Sequence, residues 1–169
     1  MRINKEIELK GIIWEDMVNY KKIGSTFMFP KCDFKCDREN GVQLCQNWEL
    51  AAAPSQKYDI DELMRLYQIM ILPESIILQG LEPLDSPIDI YTVAAAMQRH
   101  DITDDLVIYT GYNKNENDDI TNIIDTVSFL TPGSLIVKWG RYLPNQTSHY
   151  DEVLGVKLAS DNQFGEIIK

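Results

Sequence analysis

The residues of this chain that are best suited to chemistry are its three cysteines, Cys32, Cys36 and Cys45, which lie together in one short stretch. An odd number of thiols cannot form a closed set of disulfides, and thiolates are the ligands that soft metal ions and iron–sulfur clusters prefer. The stretch therefore predicts a metal or cluster site, in a reducing compartment such as the cytoplasm where the thiols stay free.

The spacing of the cysteines helps to distinguish a zinc site from an iron–sulfur cluster. Three residues lie between Cys32 and Cys36, and eight lie between Cys36 and Cys45. Structural zinc sites have four protein ligands, usually from paired C-x-x-C knuckles, which the sequence lacks. A 4Fe–4S cluster held by three cysteines leaves one iron free for a small molecule. The residues favour the cluster, and leave open both a zinc ion completed by His149 or His100 and thiols without a ligand.

The elements that must position the cysteines alternate between short apolar runs and amphipathic segments, which predicts an α/β fold with a mainly parallel sheet. The predicted strands are residues 7–14, 24–29, 75–80, 105–111, 134–139 and 153–158. The predicted helices are residues 59–70 with Asp59 as cap, 86–100 with Ser86 as cap, and 120–130. Because Pro30 ends the strand at 24–29, the cysteines follow a strand's carboxyl end, where α/β folds place their chemistry.

The length and the net charge of the chain restrict the size of its fold and the partners that it can bind. The 169 residues predict a single domain spanning residues 1–169, too short for a full eight-fold barrel, which needs roughly 200 residues. A net charge of −10 argues against nucleic-acid binding, because phosphate contacts require clustered Lys and Arg. The sequence has neither a membrane-length apolar run nor the apolar core of a signal peptide at its start. These features predict a protein that binds neither nucleic acid nor membranes.

Several motifs resemble those of the radical S-adenosylmethionine (SAM) enzymes. The sequences CDFKC, residues 32–36, and LCQN, residues 44–47, resemble the two ends of that family's C-x-x-x-C-x-x-C loop, here with six additional residues between Cys36 and Cys45. LQGLEPLDS, residues 78–86, resembles the family's Gly-Gly-Glu-Pro motif, with Leu81 in place of the second glycine. VIYTGY at 107–112, KWGRYLPNQ at 138–146 and GVKLASDNQ at 155–163 resemble stretches of the anaerobic ribonucleotide reductase activating proteins.

This resemblance implies a fold, a pair of cofactors and a partner. The fold would be an incomplete β/α barrel of the radical SAM type. Cys32, Cys36 and Cys45 would hold a 4Fe–4S cluster, whose open iron chelates SAM and whose electron cleaves it to methionine and a 5'-deoxyadenosyl radical. That radical would take a hydrogen atom from a glycine in the large subunit of an anaerobic ribonucleotide reductase. A flavodoxin or ferredoxin would donate the electron.

The resemblance also implies roles for the residues around SAM, and no catalytic side chain beyond the cluster and SAM. Gly80 would allow close approach of the SAM amino group, Glu82 would lie near that ammonium, and Leu44 would pack on adenine. The full set of implied cofactor contacts is Leu44, Gln46, Gly80, Leu81, Glu82 and Thr110. Without the resemblance, Gly80 is typical of a turn and Glu82 of an exposed loop acid.

Two other functions stay open. One is a radical SAM enzyme acting on a small molecule, for example a deazapurine precursor. The other is a non-catalytic zinc-binding module. The small size favours the activase, because a partial barrel with an open side suits a protein loop, whereas a small-molecule enzyme needs extra residues to close its pocket.

Overall fold

The structure of the chain, a computed structural model, describes residues 3–169. The strands are β1 (Glu6–Leu9), β2 (Gly11–Asp16), β3 (Gly24–Phe29), β4 (Gln56–Asp59), β5 (Ser75–Gly80), β6 (Asp105–Tyr109), β7 (Leu135–Trp139), β8 (His149–Asp151), β9 (Val156–Leu158) and β10 (Phe164–Ile167). The helices are α1 (Lys35–Asn40), α2 (Trp48–Ala52), α3 (Ile60–Ile69), α4 (Pro87–Arg99) and α5 (Asp118–Leu130), with a 3₁₀ turn at Pro83–Asp85.

A six-stranded sheet forms the centre of the fold, in the spatial order β10-β7-β6-β5-β3-β2. Strands β3, β5, β6 and β7 are parallel neighbours that follow one another in chain order. The edge strands β2 and β10 pair antiparallel with β3 and β7. The prediction of an α/β fold with a mainly parallel sheet is therefore confirmed. Two small sheets, β1 with β4 and β8 with β9, lie outside it.

The two faces of the central sheet are covered by different layers. Alternate strand residues, among them Leu78 and Ile108, join the main core with side chains of α3, α4 and α5. The residues between them point the other way, and Ile77, Val107 and Ile136 pack with Tyr20, Leu154 and Leu158. This division follows from the two-residue period of a strand. The three long helices thus share one face, and the β8–β9 region and the segment around Tyr20 cover the other.

A side chain caps the start of two of the three long helices. Asp59 Oδ1 accepts a hydrogen bond from Glu62 N at 3.0 Å at the start of α3, as predicted. Asn117 Oδ1 caps α5 by accepting from Ile120 N at 3.0 Å. Ser86 occupies the N-cap position of α4 as predicted, but its buried hydroxyl makes no capping hydrogen bond to a described residue. Pro87 occupies the first turn of α4, where a missing N–H costs nothing.

Three predicted strands differ from the structure. Residues 7–14 form parts of two strands, since the chain leaves the β1–β4 sheet at Lys10 and enters the main sheet with β2. The strand predicted at 153–158 begins only at Val156, because a turn containing Gly155 at φ +70° precedes it. The strand predicted at 105–111 ends at Tyr109. Within residues 3–169, no helix is long and apolar enough to span a bilayer.

Candidate functional site

The three cysteines line one cavity at the carboxyl ends of the parallel strands. Cys32 follows β3, Cys36 lies in α1, and Cys45 lies between α1 and α2. All three are free thiols that are partly buried. The cavity has a volume of about 660 Å³ and opens to solvent. Its size falls within the range of about 300–1,000 Å³ that is typical of small-molecule sites.

The residues between Cys36 and Cys45 loop outward and return. Helix α1 ends at Gly41, whose φ of +67° lets its N–H reach Asp37 O at 2.9 Å. The Asp37 carboxylate then accepts hydrogen bonds from Leu44 N at 2.7 Å and from Cys45 N at 2.9 Å. The chain therefore comes back to the residue next to Cys36, which brings the third cysteine to the wall that the first two occupy.

An ion-pair network connects α1 with the far wall of the cavity. Arg141, two residues after the end of β7, binds Glu39 Oε2 at 2.8 Å through Nη1 and Glu116 Oε2 at 2.9 Å through Nη2. Lys35 also pairs with Glu116. The guanidinium is buried, with its side chain 10% exposed. A planar fork of donors suits two carboxylates at once, so Arg141 can fix both acidic residues in one geometry.

The end of β5 packs against the backbone that leads into the cysteines. Gly80 has φ +112°, and a Cβ at this position would lie 2.6 Å from Phe29 N. Leu81 N donates to Phe29 O at 3.2 Å, and Glu82 N donates to Lys31 O at 2.8 Å. Asn47 Nδ2 donates to Gly80 O at 3.0 Å from the other end of the cysteine stretch. The position requires glycine because of the neighbouring strand, before any ligand is considered.

Glu82 is buried, so the expectation of an exposed loop acid was wrong. The carboxylate accepts hydrogen bonds from Leu84 N at 3.0 Å, Thr110 Oγ1 at 2.8 Å and Gly111 N at 2.8 Å. Burial raises its pKa to about 7, against the lowering effect of these donors. These three hydrogen bonds use most of the acceptor positions of the carboxylate. Glu82 therefore joins the turn after β5 to the end of β6.

Two basic residues of the site were not predicted as functional. Lys138 is a buried β7 residue that lines the cavity, and its ammonium donates to Gly140 O at 2.6 Å. Burial lowers its pKa to about 8. Arg141 follows three positions later and lines the same cavity. The sequence contains one signal for Lys138, which is a single charged residue inside the apolar run SLIVKW. A buried lysine costs free energy unless it has a partner or a ligand, so a lysine in a buried strand indicates a contact of that kind.

The structure brings all the predicted metal and cofactor residues to this one cavity: Cys32, Cys36, Leu44, Cys45, Gln46, Gly80, Leu81, Glu82 and Thr110 all line it. Neither His100 nor His149 is among the described residues that do so. His100 Nε2 instead lies 3.0 Å from Asp61 Oδ1. A zinc ion completed by one of these histidines therefore has no support from the arrangement of the side chains.

The thiol positions also bear on the kind of metal centre. Among residues 3–169, the one group of potential ligand atoms that meets within 4.8 Å is Cys32, Asp33 and Asp85, not the three thiols. A tetrahedral zinc ion with Zn–S bonds of about 2.3 Å would hold its thiolates within about 3.8 Å of one another. The three thiols are therefore not arranged to share one zinc ion of this kind.

The thiols also influence one another electrostatically. Burial raises the pKa of Cys32 to about 12, and the acidic groups of Glu82 and Asp85 and the neighbouring Cys36 add to this. Burial likewise raises the pKa of Cys36, with a contribution from Cys45. Cys36 therefore lies close enough to both other thiols to sense their charge. A metal centre would reverse this effect of burial on Cys32 and Cys36, because a metal deprotonates the thiols that bind it.

Comparisons of this chain with protein-family models, with curated proteins and with solved structures find no match.

Proposed function

We propose that this chain is a radical SAM activase that generates a glycyl radical on an anaerobic ribonucleotide reductase. The proposal rests on one observation: the residues that the motif resemblance assigns to cluster and cofactor, although distant in sequence, line a single cavity at the strand ends. Random placement of unrelated motifs would not be expected to give this convergence.

The proposed fold is the incomplete β/α barrel of the radical SAM type. Consecutive parallel strands with all long helices on one face are the arrangement that a β/α barrel repeats, whereas a doubly wound sheet has helices on both faces. The cavity opens at the carboxyl ends of these strands, where barrel enzymes place their active sites. These features support the proposal of an incomplete β/α barrel.

The donor set fits the proposed cofactors. Cys32, Cys36 and Cys45 would hold the 4Fe–4S cluster and leave one iron for the amino and carboxyl groups of SAM. When bound, the cluster would supply the single electron needed for reductive cleavage of SAM, and hence for hydrogen abstraction from the partner's glycine. The protein would bind and orient these groups.

The residues around the cofactors then have distinct tasks. Leu44 and Leu81 supply apolar walls, and Gln46 lies beside Cys45. In the proposal, Leu44 would pack on adenine. Gly80 brings the end of β5 close to the cysteine stretch. Because the Glu82 carboxylate already accepts three hydrogen bonds, its task in the proposal is to hold the Gly80–Leu81 turn against Thr110, rather than to bind the SAM ammonium as the motif implied.

The proposed partner is the large, glycyl-radical subunit of the reductase, with a flavodoxin or ferredoxin as electron donor. An open cavity can admit a loop of a protein, whereas an enzyme acting on a small molecule needs more residues to enclose it. The location of the proposed function is the cytoplasm, where free thiols persist.

The first test is anaerobic reconstitution of the purified chain with iron and sulfide, followed by reduction in the presence of SAM. We expect a brown protein that forms 5'-deoxyadenosine, and we expect Cys45→Ala to lose both properties. Ser148→Ala, which removes one Oγ atom at an exposed position, is the control and should behave as the wild type. Tight binding of one zinc ion without cluster assembly would contradict the proposal.

A second test separates the activase from an enzyme acting on a small molecule. The reconstituted chain, a reductant and SAM are mixed with an anaerobic ribonucleotide reductase large subunit, and the glycyl radical is sought by electron paramagnetic resonance. The activase predicts one doublet signal that depends on all three components. Cleavage of SAM without this signal, with any candidate reductase of the same source, would favour the small-molecule alternative.

A further inference from the structure

We propose that Asp37 is a positioning residue that sets where Cys45 lies, so that a cysteine loop with six additional residues still presents three thiols to one cavity. The identity of the bound group rests on the function proposed above. The position of Cys45 does not, because it follows from hydrogen bonds within the protein.

The first support is the pair of hydrogen bonds made by one carboxylate oxygen. Asp37 Oδ1 accepts from Leu44 N at 2.7 Å and from Cys45 N at 2.9 Å. Hydrogen bonds to a charged acceptor are about twice as strong as those between neutral groups. Asp37 directly follows Cys36, so the separation of Cys36 and Cys45 is set by this bridge rather than by the length of chain between them.

The second support is that the intervening residues lie outside the core. Helix α1 buries none of its described residues, and the Val42 side chain is 58% exposed. A Cβ added to Gly41 would meet no described atom within 4 Å. Apolar burial therefore cannot hold this segment in place, and polar contacts must do so.

The third support is a separate anchor on the same segment. Arg141 holds Glu39 of α1 at 2.8 Å and is itself fixed by Glu116 at 2.9 Å. This anchor attaches α1 to the strand ends, and Asp37 attaches the returning chain to α1. The two attachments in series connect the backbone of Cys45 through α1 to the β7 end of the cavity, and Asp37 is the link closest to the thiol.

The experiment compares Asp37→Ala, Asp37→Asn and a matched control, Asp59→Ala. Asp59 also accepts a backbone N–H at a helix start, but it caps α3 and lies outside the cavity lining. Asparagine keeps an acceptor oxygen without the charge, so it should rescue part of the effect. Circular dichroism establishes that each variant is folded before the other measurements.

The first readout needs neither metal nor activity. Hydrogen exchange of the Leu44 and Cys45 amides is measured in the metal-free protein. We expect exchange about tenfold faster in Asp37→Ala than in the wild type, since both amides lose their acceptor. Asp37→Asn should lie between the two, and Asp59→Ala should match the wild type at these amides. Unchanged exchange in Asp37→Ala would overturn the inference.

The second readout connects the position of Cys45 to the cluster. After reconstitution, the rate at which a chelator removes iron is measured anaerobically. Residues that orient metal ligands typically contribute 10- to 100-fold to metal affinity, so Asp37→Ala should lose iron faster by about that factor. Equal rates in Asp37→Ala and wild type would also overturn the inference. If the wild type assembles no cluster, the proposed function fails, and the exchange measurement alone decides the role of Asp37.

Discussion

Substituting Gly80 by alanine tests the close packing of β5 against β3 at the site. The glycine has φ +112°, and the added Cβ would lie 2.6 Å from Phe29 N and 2.9 Å from Phe29 O. Both contacts are with backbone, so no side chain can rotate away to relieve them. The strand ends must separate, and Phe29 lies just before the loop that carries Cys32.

The magnitude follows from two terms. A non-glycine residue in a sparsely populated backbone region costs about 1–3 kcal/mol, and overpacking a close contact costs about 1–3 kcal/mol more. Gly80→Ala should therefore lower the free energy of unfolding by about 2–6 kcal/mol. Gly41→Ala is the matched control, because Gly41 also has a positive φ, +67°, but a Cβ there meets no described atom within 4 Å. The control should lose only about 1 kcal/mol.

The assay is denaturant unfolding of the metal-free, reduced protein, so that neither cofactor nor activity enters the comparison. We expect a lower midpoint for Gly80→Ala than for Gly41→Ala, with similar slopes. Equal losses of stability in the two variants would refute the reasoning, because the backbone conformation alone would then account for both. A loss confined to Gly41→Ala would refute it more strongly.

Three further predictions concern Glu82, α1 and Tyr112. The pKa of Glu82 in the folded protein is about 7, so folding favours its protonated form. The free energy of unfolding of the wild type relative to Glu82→Gln should therefore fall by about 3 kcal/mol as pH rises from 4.5 to 7. Denaturant unfolding at each pH measures this difference. Glu39→Gln should change overall stability by less than about 0.5 kcal/mol, since Glu39 is 44% exposed, yet limited proteolysis should cut α1 faster once the Arg141 contact is weakened. Tyr112→Phe removes a 2.7 Å hydrogen bond to Asp85 and should cost about 1–2 kcal/mol in denaturant unfolding.

The central strands and long helices could be predicted from the sequence because burial imposes a local pattern on each. Residues 75–80 are a short apolar run and residues 24–29 end at Pro30, and both are strands with the predicted bounds. The edge strand β10 carries no such pattern, since it is short and its residues are partly or fully exposed. Of the β8–β9 pair, β9 lies within the strand predicted at 153–158, but β8 was missed, because the turn between them depends on Gly155 adopting a positive φ.

Part of the lining of the candidate site could be predicted, but Lys138, Arg141 and the contacts of some predicted residues could not. The cysteines follow a strand end, and that position is visible in the sequence. The burial of Glu82 depends on Thr110, 28 positions away, whose hydroxyl and following N–H supply its donors. The partners of Asp37 depend on how the loop returns. Contacts of this kind form only when the strands assemble, so no local sequence pattern predicts them.

The contact between Glu39 and Arg141 can form only late in the synthesis of the chain. The two residues are 102 positions apart, and a ribosome adds about 5–20 residues each second. The cysteine stretch therefore precedes its anchor by about 5–20 s. During that interval its thiols have neither the far wall nor the arginine, so the cavity that the three cysteines line is complete only after translation has passed β7.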